Sequence, residues 1–495
     1  MKKDKPDQVS RRRFVKNSAS FALGTAFLPK WNTLVSSDES TLAYQAIGTR
    51  VGEVTGTSAI IWTRLTENET RNNKGVLIPG RAQDYRGKSL PEVKVPVEQL
   101  EGACPGIGGY VRLRYGKDEH LKKSKSSAWV EVGQASDFIH KFHLERLEPA
   151  SQYYYQSETK LHKGKSPIYR FRGQFRTAPG SNAPSSLRFC LMTCQGYPDR
   201  DHPDGHGIYP AMQALQPDFA CLTGDLVYYD NDMPRANTPR LARFHWERMF
   251  SLPRLREFNR NCSTYWLKDD HDTLDNDSSP GAKMGDLTFT EGQQIFLQQA
   301  PLESNSLSYR TFRWGKDLQI WLTDGRDFRS PNQMPDGPEK TILGKEQKAW
   351  LKRTLLESTA TWKILISPTP MVGPDRGTKN DNHTNAGFQH EGDELRNWFK
   401  INVPDNFLVF CGDRHWQYHS VHPITGLHEF SIGAASDEHA GGSPGEDKAY
   451  HRFHLVKGGF ISVDVKREAL KSQLIVRHHD VQGAVVYEWK KERPW

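Results

Sequence analysis

The chain has no uninterrupted apolar stretch long enough to cross a bilayer as a helix, which takes about 20 residues. It has only six cysteines in 495 residues. None forms a C-x-x-C pair or a zinc-ligand spacing, which argues against a zinc ribbon or finger and declares no disulfide framework. Basic charge is in modest excess, +8, and is not gathered into a block. That balance speaks against a nucleic-acid-binding module and leaves a general attraction to anionic surfaces or substrates. No internal repeat and no low-complexity tract is present, so solenoids and long linkers are set aside. Aromatic residues, in contrast, make up 11% of the chain, with 13 Trp. A chain this long and this rich in large rings buries a core, with β structure the natural host, and has room for two or three domains.

The N-terminus is an address and not part of the fold. Ser10-Arg11-Arg12-Arg13-Phe14-Val15-Lys16 precedes a short, weakly apolar run from Ala19 to Leu28. This arrangement reads as a twin-arginine signal over residues 1–37, to be engaged by the twin-arginine translocase. The expected location is the periplasm or the exterior. No clear small-x-small cleavage site precedes Ser37, so retention as an envelope anchor stays open. A route that carries folded proteins suits one whose metal is inserted in the cytoplasm.

From residue 43 to 179, runs such as Tyr110 to Gly116, Phe138 to Leu147 and Tyr169 to Thr177 alternate apolar and polar residues between turn signals. Leu147-Glu148-Pro149 followed by Tyr153 resembles the tyrosine corner of immunoglobulin and fibronectin-type sandwiches. An N-terminal all-β domain is expected, with a polar insertion from Thr66 to Gly109 as a surface loop. After a short linker, Ser181 to Ser186, strands alternate with helices from residue 185 to 495, the pattern of a layered α/β domain. Three alternating segments near the C-terminus are expected to close a sheet edge.

Chemistry-bearing residues recur where these strands end. The strand at Leu187 leads to Thr193-Cys194-Gln195, and that at Phe219 to Gly224-Asp225 with Tyr228 three positions on. A third run delivers Asp269-Asp270-His271-Asp272 and then Asn276-Asp277; a fourth delivers Gly412-Asp413-Arg414-His415. Ligands of open α/β sheets bind outside the carboxyl ends of strands. Carboxylate, amide, phenolate, imidazole and thiolate groups converging there suit hard or borderline cations. Two neighbouring cations would clamp a phosphate ester and activate water for in-line attack.

These motifs together resemble the PhoD-type alkaline phosphatases of the metallophosphoesterase superfamily. The resemblance rests on the twin-arginine segment, TSAIIWTR, TCQ, GDLVY, DDHDTLDND, the helix opening at Leu343-Gly344, and GDRH. It implies a four-layer αββα sandwich with an N-terminal immunoglobulin-like β domain. It also implies hydrolysis of phosphate mono- or diesters by a metal-activated hydroxide, with Fe3+ and Ca2+ as cofactors. Carried over residue by residue, Cys194, Asp225, Tyr228 and His415 surround the iron. Asp225 bridges to calcium, and Asn276 and Asp413 complete that side. Asp270, His271 and Arg326 are the catalytic candidates. His271 either protonates the leaving group, touches the phosphate or holds its loop; Arg326 either clamps phosphate or pairs with Asp324 at the surface. Asp230 stands where the family commonly has glutamate. The Asp381-Asn385 cluster, with His390 and Glu391, is expected to border the substrate. In the segment Asp199 to His206, otherwise read as a solvated loop, only His206 is singled out.

Two other readings compete. A purple acid phosphatase also joins a β domain to a metallophosphoesterase core, but its GNH and GH-x-H motifs are absent. A non-catalytic surface or glycan-binding protein would use the sandwich and aromatic loops and carry no stoichiometric iron.

Overall fold

The computed structural model describes residues 42–303, 305, 307–403 and 405–494; the expected twin-arginine segment lies outside them. In the N-terminal third, strands β1 (Thr49–Gly52), β2 (Ala59–Arg64), β3 (Gly109–Gly116), β4 (Lys125–Ser126), β5 (Val130–Val132), β6 (Ile139–Leu144), β7 (Gln152–Lys160) and β8 (Tyr169–Arg176) form two facing layers. One is the sheet β4-β3-β7-β8, with β5 on β3; the other is β1-β2-β6. Ile61, Leu113, Phe142, Tyr155 and Phe175 are among the buried residues between them. The Tyr153 hydroxyl accepts the Glu148 N–H at 2.9 Å, the bond of a tyrosine corner.

The expected boundary between two domains is one of sequence and not of hydrogen bonding. β1 pairs in parallel with β11 (Ser263–Leu267), so β1, β2 and β6 extend a nine-stranded sheet that carries the α/β region. The polar insertion also departs from a plain surface loop. Leu100, Ala103 and Cys104 are buried in the main core, and Met233 N–H donates to Gly80 O at 3.1 Å.

The α/β region continues with β9 (Leu187–Met192), α1 (Ile208–Ala214), β10 (Phe219–Thr223), α2 (Pro239–Phe250), α3 (Pro253–Asn261), β11, β12 (Lys283–Met284), β13 (Leu287–Thr288) and α4 (Phe289–Gln299). Thr238 caps α2 by accepting the Leu241 N–H, with Pro239 at the first helical position. Thr288 and Glu291 form a capping box at α4. Then come β14 (Arg310–Trp314), β15 (Leu318–Leu322), α5 (Gly344–Glu357), β16 (Trp362–Ser367), α6 (Gln389–Asn402), β17 (Phe407–Cys411), β18 (Gln417–Val421), β19 (His428–Ser431) and β20 (His451–Leu455). Finally β21 (Phe460–Arg467), β22 (Lys471–His479) and β23 (Val485–Pro494) close the first sheet, as expected for the tail. Helix α3 and strands β18 to β20 are additions to the sequence reading.

Two sheets stack, in the orders β23-β22-β21-β9-β10-β11-β1-β2-β6 and β14-β15-β16-β17-β19-β18-β20. Period-two alternation fills the layers. Phe219 and Cys221 join the core between the sheets, while Ala220 and Leu222 belong to the core under α1 to α4. On the second sheet Leu408 and Phe410 face inward, and Phe407 and Val409 pack with residues of α5 and α6. The result is the expected αββα sandwich. Neighbours β9, β10 and β11 are parallel, as are β15, β16 and β17, so both sheets carry strand ends toward one edge of their parallel cores.

Candidate metal centre

Glycines set the tight geometry at two of these strand ends. Gly224, following β10, has φ +87°, and an added Cβ would meet Asp269 Cβ at 2.7 Å. Gly412, following β17, would bring a Cβ to 2.6 Å from Thr223 O. Both approaches need the absence of a side chain. The residues next to them then adopt left-handed backbone themselves: Asp225 at +54°, Asp413 at +61°, and Cys194 after β9 at +51°. Such conformations are costly outside glycine and concentrate at functional sites.

Ligand atoms of Cys194, Asp225 and His415 lie within 4.8 Å of one another, and so do those of Asp225, Asp270 and His271. Asp225 therefore belongs to both groups. Its Oδ2 is 3.4 Å from Cys194 Sγ and 3.2 Å from the Tyr228 hydroxyl. Tyr228 is in turn 3.4 Å from His415 Nε2. Its neighbour Tyr229 instead accepts a bond from Trp246 in the core. Asp225 Oδ1 is buried with no hydrogen-bond partner.

The second group differs from the expected calcium set. Asp270 is buried beside Asp225, whereas Asn276 is exposed and meets this region by its backbone N–H, which donates to Asp230 Oδ2. Asp413 is half-buried, with its carboxylate 3.2 Å from Arg414. His271 Nδ1 lies 2.6 Å from Asp230 Oδ1. Burial opposes charge on His271, but Asp230, Asp270 and Asp225 outweigh it and hold its pKa well above an ordinary imidazole's.

Arg326 is not in a surface pair with Asp324. That carboxylate is taken by Lys268 at 2.8 Å. Arg326, fully buried, pairs with Asp269 through Nε and lies 3.5 Å from Asp270. Most of its guanidinium is committed to these acids, with Nη1 unpartnered. The Asp381-Asn385 cluster divides in two. Lys379 links Asp381 (2.8 Å) with Asp277 (3.4 Å) near Asp270. His383 is a buried tie to Glu391, which also accepts the Ile342 N–H.

Three residues of the site escaped the sequence reading. His439 Nε2 lies 2.8 Å from the Tyr228 hydroxyl, and His439 Nδ1 lies 2.6 Å from Asp199 Oδ2. Arg81, from the N-terminal insertion, forms an ion pair with Asp199. Asp199 is thus buried in a network, whereas Asp201 to Asp204 are exposed, as expected of a solvated loop. His206 is buried as well, with Nε2 on Gly196 O, and burial pushes its pKa down to about 3. No local pattern announces His439 or Arg81.

The electrostatics fit cation binding. Burial, followed by the charges of Asp270, Asp269 and Asp272, drives the Asp225 carboxyl far up despite His271. Burial and Asp225 likewise push up the Cys194 thiol. Buried acids crowded to this degree gain from a cation that neutralises them, and the thiol, phenol, carboxylate and imidazole are all groups able to ligate a metal ion. Asp225 and Asp270 supply oxygen for a harder cation.

Residues 189–474 match the family model described as PhoD-like phosphatase, and residues 35–179 match that of the PhoD-like phosphatase, N-terminal domain. Alkaline phosphatase D of Bacillus subtilis (strain 168) is 24% identical over 419 residues, covering 74% of this chain and 64% of that protein's length. A solved structure of PhoD shares the fold with TM-score 0.66 and 18% identity, over 93% of this chain and 92% of the other. Purple acid phosphatase PPD1 from yellow lupin (Lupinus luteus) seeds gives TM-score 0.61 and 12% identity, over 90% and 74%.

Proposed function

Because the chain belongs to the PhoD-like phosphatase family, we propose that it is an exported, metal-dependent phosphohydrolase acting on phosphate mono- and diesters. The observation that carries this reading is Asp225, one carboxylate common to two groups of ligand-capable atoms. Cys194, Asp225, Tyr228 and His415 would hold Fe3+, and Asp225, Asp270 and Asp413 would hold Ca2+, with Asn276 at its margin. Bound there, the cations supply Lewis acidity, lowering the pKa of water and offsetting charge on the phosphoryl oxygens.

The chain's own side chains do the rest. Arg326 balances Asp269 and Asp270, which keeps the Asp270 carboxyl ionised against burial. Asp230 fixes His271 through Nδ1, leaving Nε2 to carry a proton to the departing alkoxide. Water oxygen bonds to phosphorus as the ester P–O bond breaks, the His271 proton ends on the alcohol, and a proton lost by the water restores His271. No protein nucleophile is required. Export rests on Arg11, Arg12 and the run that follows; replacing both arginines by lysine should hold the protein in the cytoplasm.

The test pairs metal analysis with hydrolysis. Protein exported by the twin-arginine route should carry iron and calcium and cleave p-nitrophenyl phosphate or its bis ester. Metal-loaded protein that cleaves neither would end this reading.

A further inference from the structure

A cavity of about 410 Å³, a volume within the range of small-molecule sites, is lined by the chain neighbours of Arg81 and Asp199, which are tied to the candidate metal centre through His439. Three stretches of chain line it, and each runs directly into the site. Leu77 to Gly80 precede Arg81, which pairs with Asp199. Pro198 and Arg200 flank Asp199, which holds His439 against Tyr228. Met233 follows Asp232, whose N–H donates to Tyr228 O.

The lining is mainly apolar. Leu77, Ile78, Pro79, Pro198, Met233 and the Tyr197 ring contribute, and Asp201 and His202 are polar members of the lining. Leu77 is 54% exposed, while Met233 and Tyr197 are buried. Arg200 is stacked over Tyr197 at 4.1 Å and donates to its carbonyl. The groups that join cavity to centre are already bonded to one another: Arg81 to Asp199, Asp199 to His439, and His439 to Tyr228. None of the three is left to hand a proton to a departing alkoxide.

We infer that this cavity holds the retained substituent of a phosphodiester, an uncharged alkyl or aryl group that stays on phosphorus when the other ester bond is cut. The inference rests on the phosphohydrolase reading above. It makes the N-terminal insertion a specificity element: the segment that supplies Arg81 also supplies the apolar wall. During the reaction the substituent's own P–O bond is untouched; water oxygen replaces the leaving alkoxide, and the product is a monoester carrying that group.

The experiment compares metal-loaded wild type with Leu77→Asp and Ile78→Ser on three esters that share p-nitrophenolate as leaving group. Bis(p-nitrophenyl) phosphate fills the cavity, methyl p-nitrophenyl phosphate barely enters it, and p-nitrophenyl phosphate has no second substituent. Each variant should lower kcat/KM for the bis ester about tenfold relative to the methyl ester. Activity on the monoester should hold. Circular dichroism checks that both variants fold, and the exposed position of Leu77 makes the first the safer. An unchanged ratio of bis to methyl ester in both folded variants overturns the subsite while leaving the phosphohydrolase reading intact. A wild type inactive on all three esters removes that reading and the inference together.

Discussion

His439 Nε2 lies 2.8 Å from the phenolic oxygen of Tyr228, and Asp199 holds the other ring nitrogen at 2.6 Å. The imidazole thereby fixes the direction of the one tyrosine hydroxyl that also approaches Asp225 and His415. Phenolate bound to Fe3+ should colour the protein. Tyr228→Phe is expected to abolish the visible band, and Tyr229→Phe to leave it. His439→Ala or Asp199→Asn should shift the band while iron content stays near wild type. The check is an absorption spectrum beside elemental analysis.

Asp225→Asn removes the carboxylate common to both ligand groups. Iron and calcium content should fall together, and kcat/KM for p-nitrophenyl phosphate should drop by more than about 100-fold. Retention of both metals at wild-type stoichiometry would show that Asp225 is no bridge.

Chelation should destabilise the fold. Without a cation, Asp225, Asp269, Asp270 and Asp272 crowd one buried region, and burial with neighbouring charge moves the Asp269 carboxyl up to about 8. A metal at 100 times its Kd contributes about 3 kcal/mol to the native state. Thermal melts before and after exhaustive chelation, then after adding back iron and calcium, should show a fall in Tm and its recovery.

Arg326 is a balancing charge at the base of the site. Arg326→Met leaves Asp269 and Asp270 buried without their cation, and breaking such a pair costs about 3–5 kcal/mol. Denaturant unfolding should show that loss. A variant as stable as wild type would mean that the acids find another partner.

Glu391 gives a pH dependence outside the metal centre. Burial opposes its ionisation, but His383, the Thr341 hydroxyl and the Ile342 N–H outweigh burial and bring its pKa from 4.5 down to about 2. A depressed carboxyl pKa stabilises the fold at pH above the unfolded value and loses that contribution as pH falls toward the folded one. The stability gap between wild type and Glu391→Gln should therefore stand at roughly 3 kcal/mol at pH just above the unfolded carboxyl value. It should shrink steadily below about pH 4.5. Urea unfolding across that series tests it; a gap that widens in acid contradicts the assignment.

Local chemistry determined a good deal of this protein. Alternation along Phe219 to Thr223 and Phe407 to Cys411 marks strands filled on both faces, because the side-chain period of a strand is two. Gly224 and Gly412 announce turns where backbone passes too close for a side chain. Asp225, Tyr228, Asp270, His271 and His415 were legible because each follows such a strand within a few residues. Which acids share a space was decided only by the tertiary structure. Asp270 and Asn276 are six positions apart in one loop, yet the first is buried beside Asp225 and the second is exposed. Arg326 looked like a partner for Asp324 two residues away, until a lysine from another strand end claimed that carboxylate. Arg81, Asp199 and His439 meet across the whole chain, and no local periodicity encodes a contact between positions so far apart. The N-terminal strands were recognisable as β, but their continuation of the catalytic sheet rests on β1 pairing with β11. Hydrogen bonding between backbones carries no sequence mark of the partner. The sequence therefore determined what each strand end carries, and the packing of two sheets decided which of those ends form one centre.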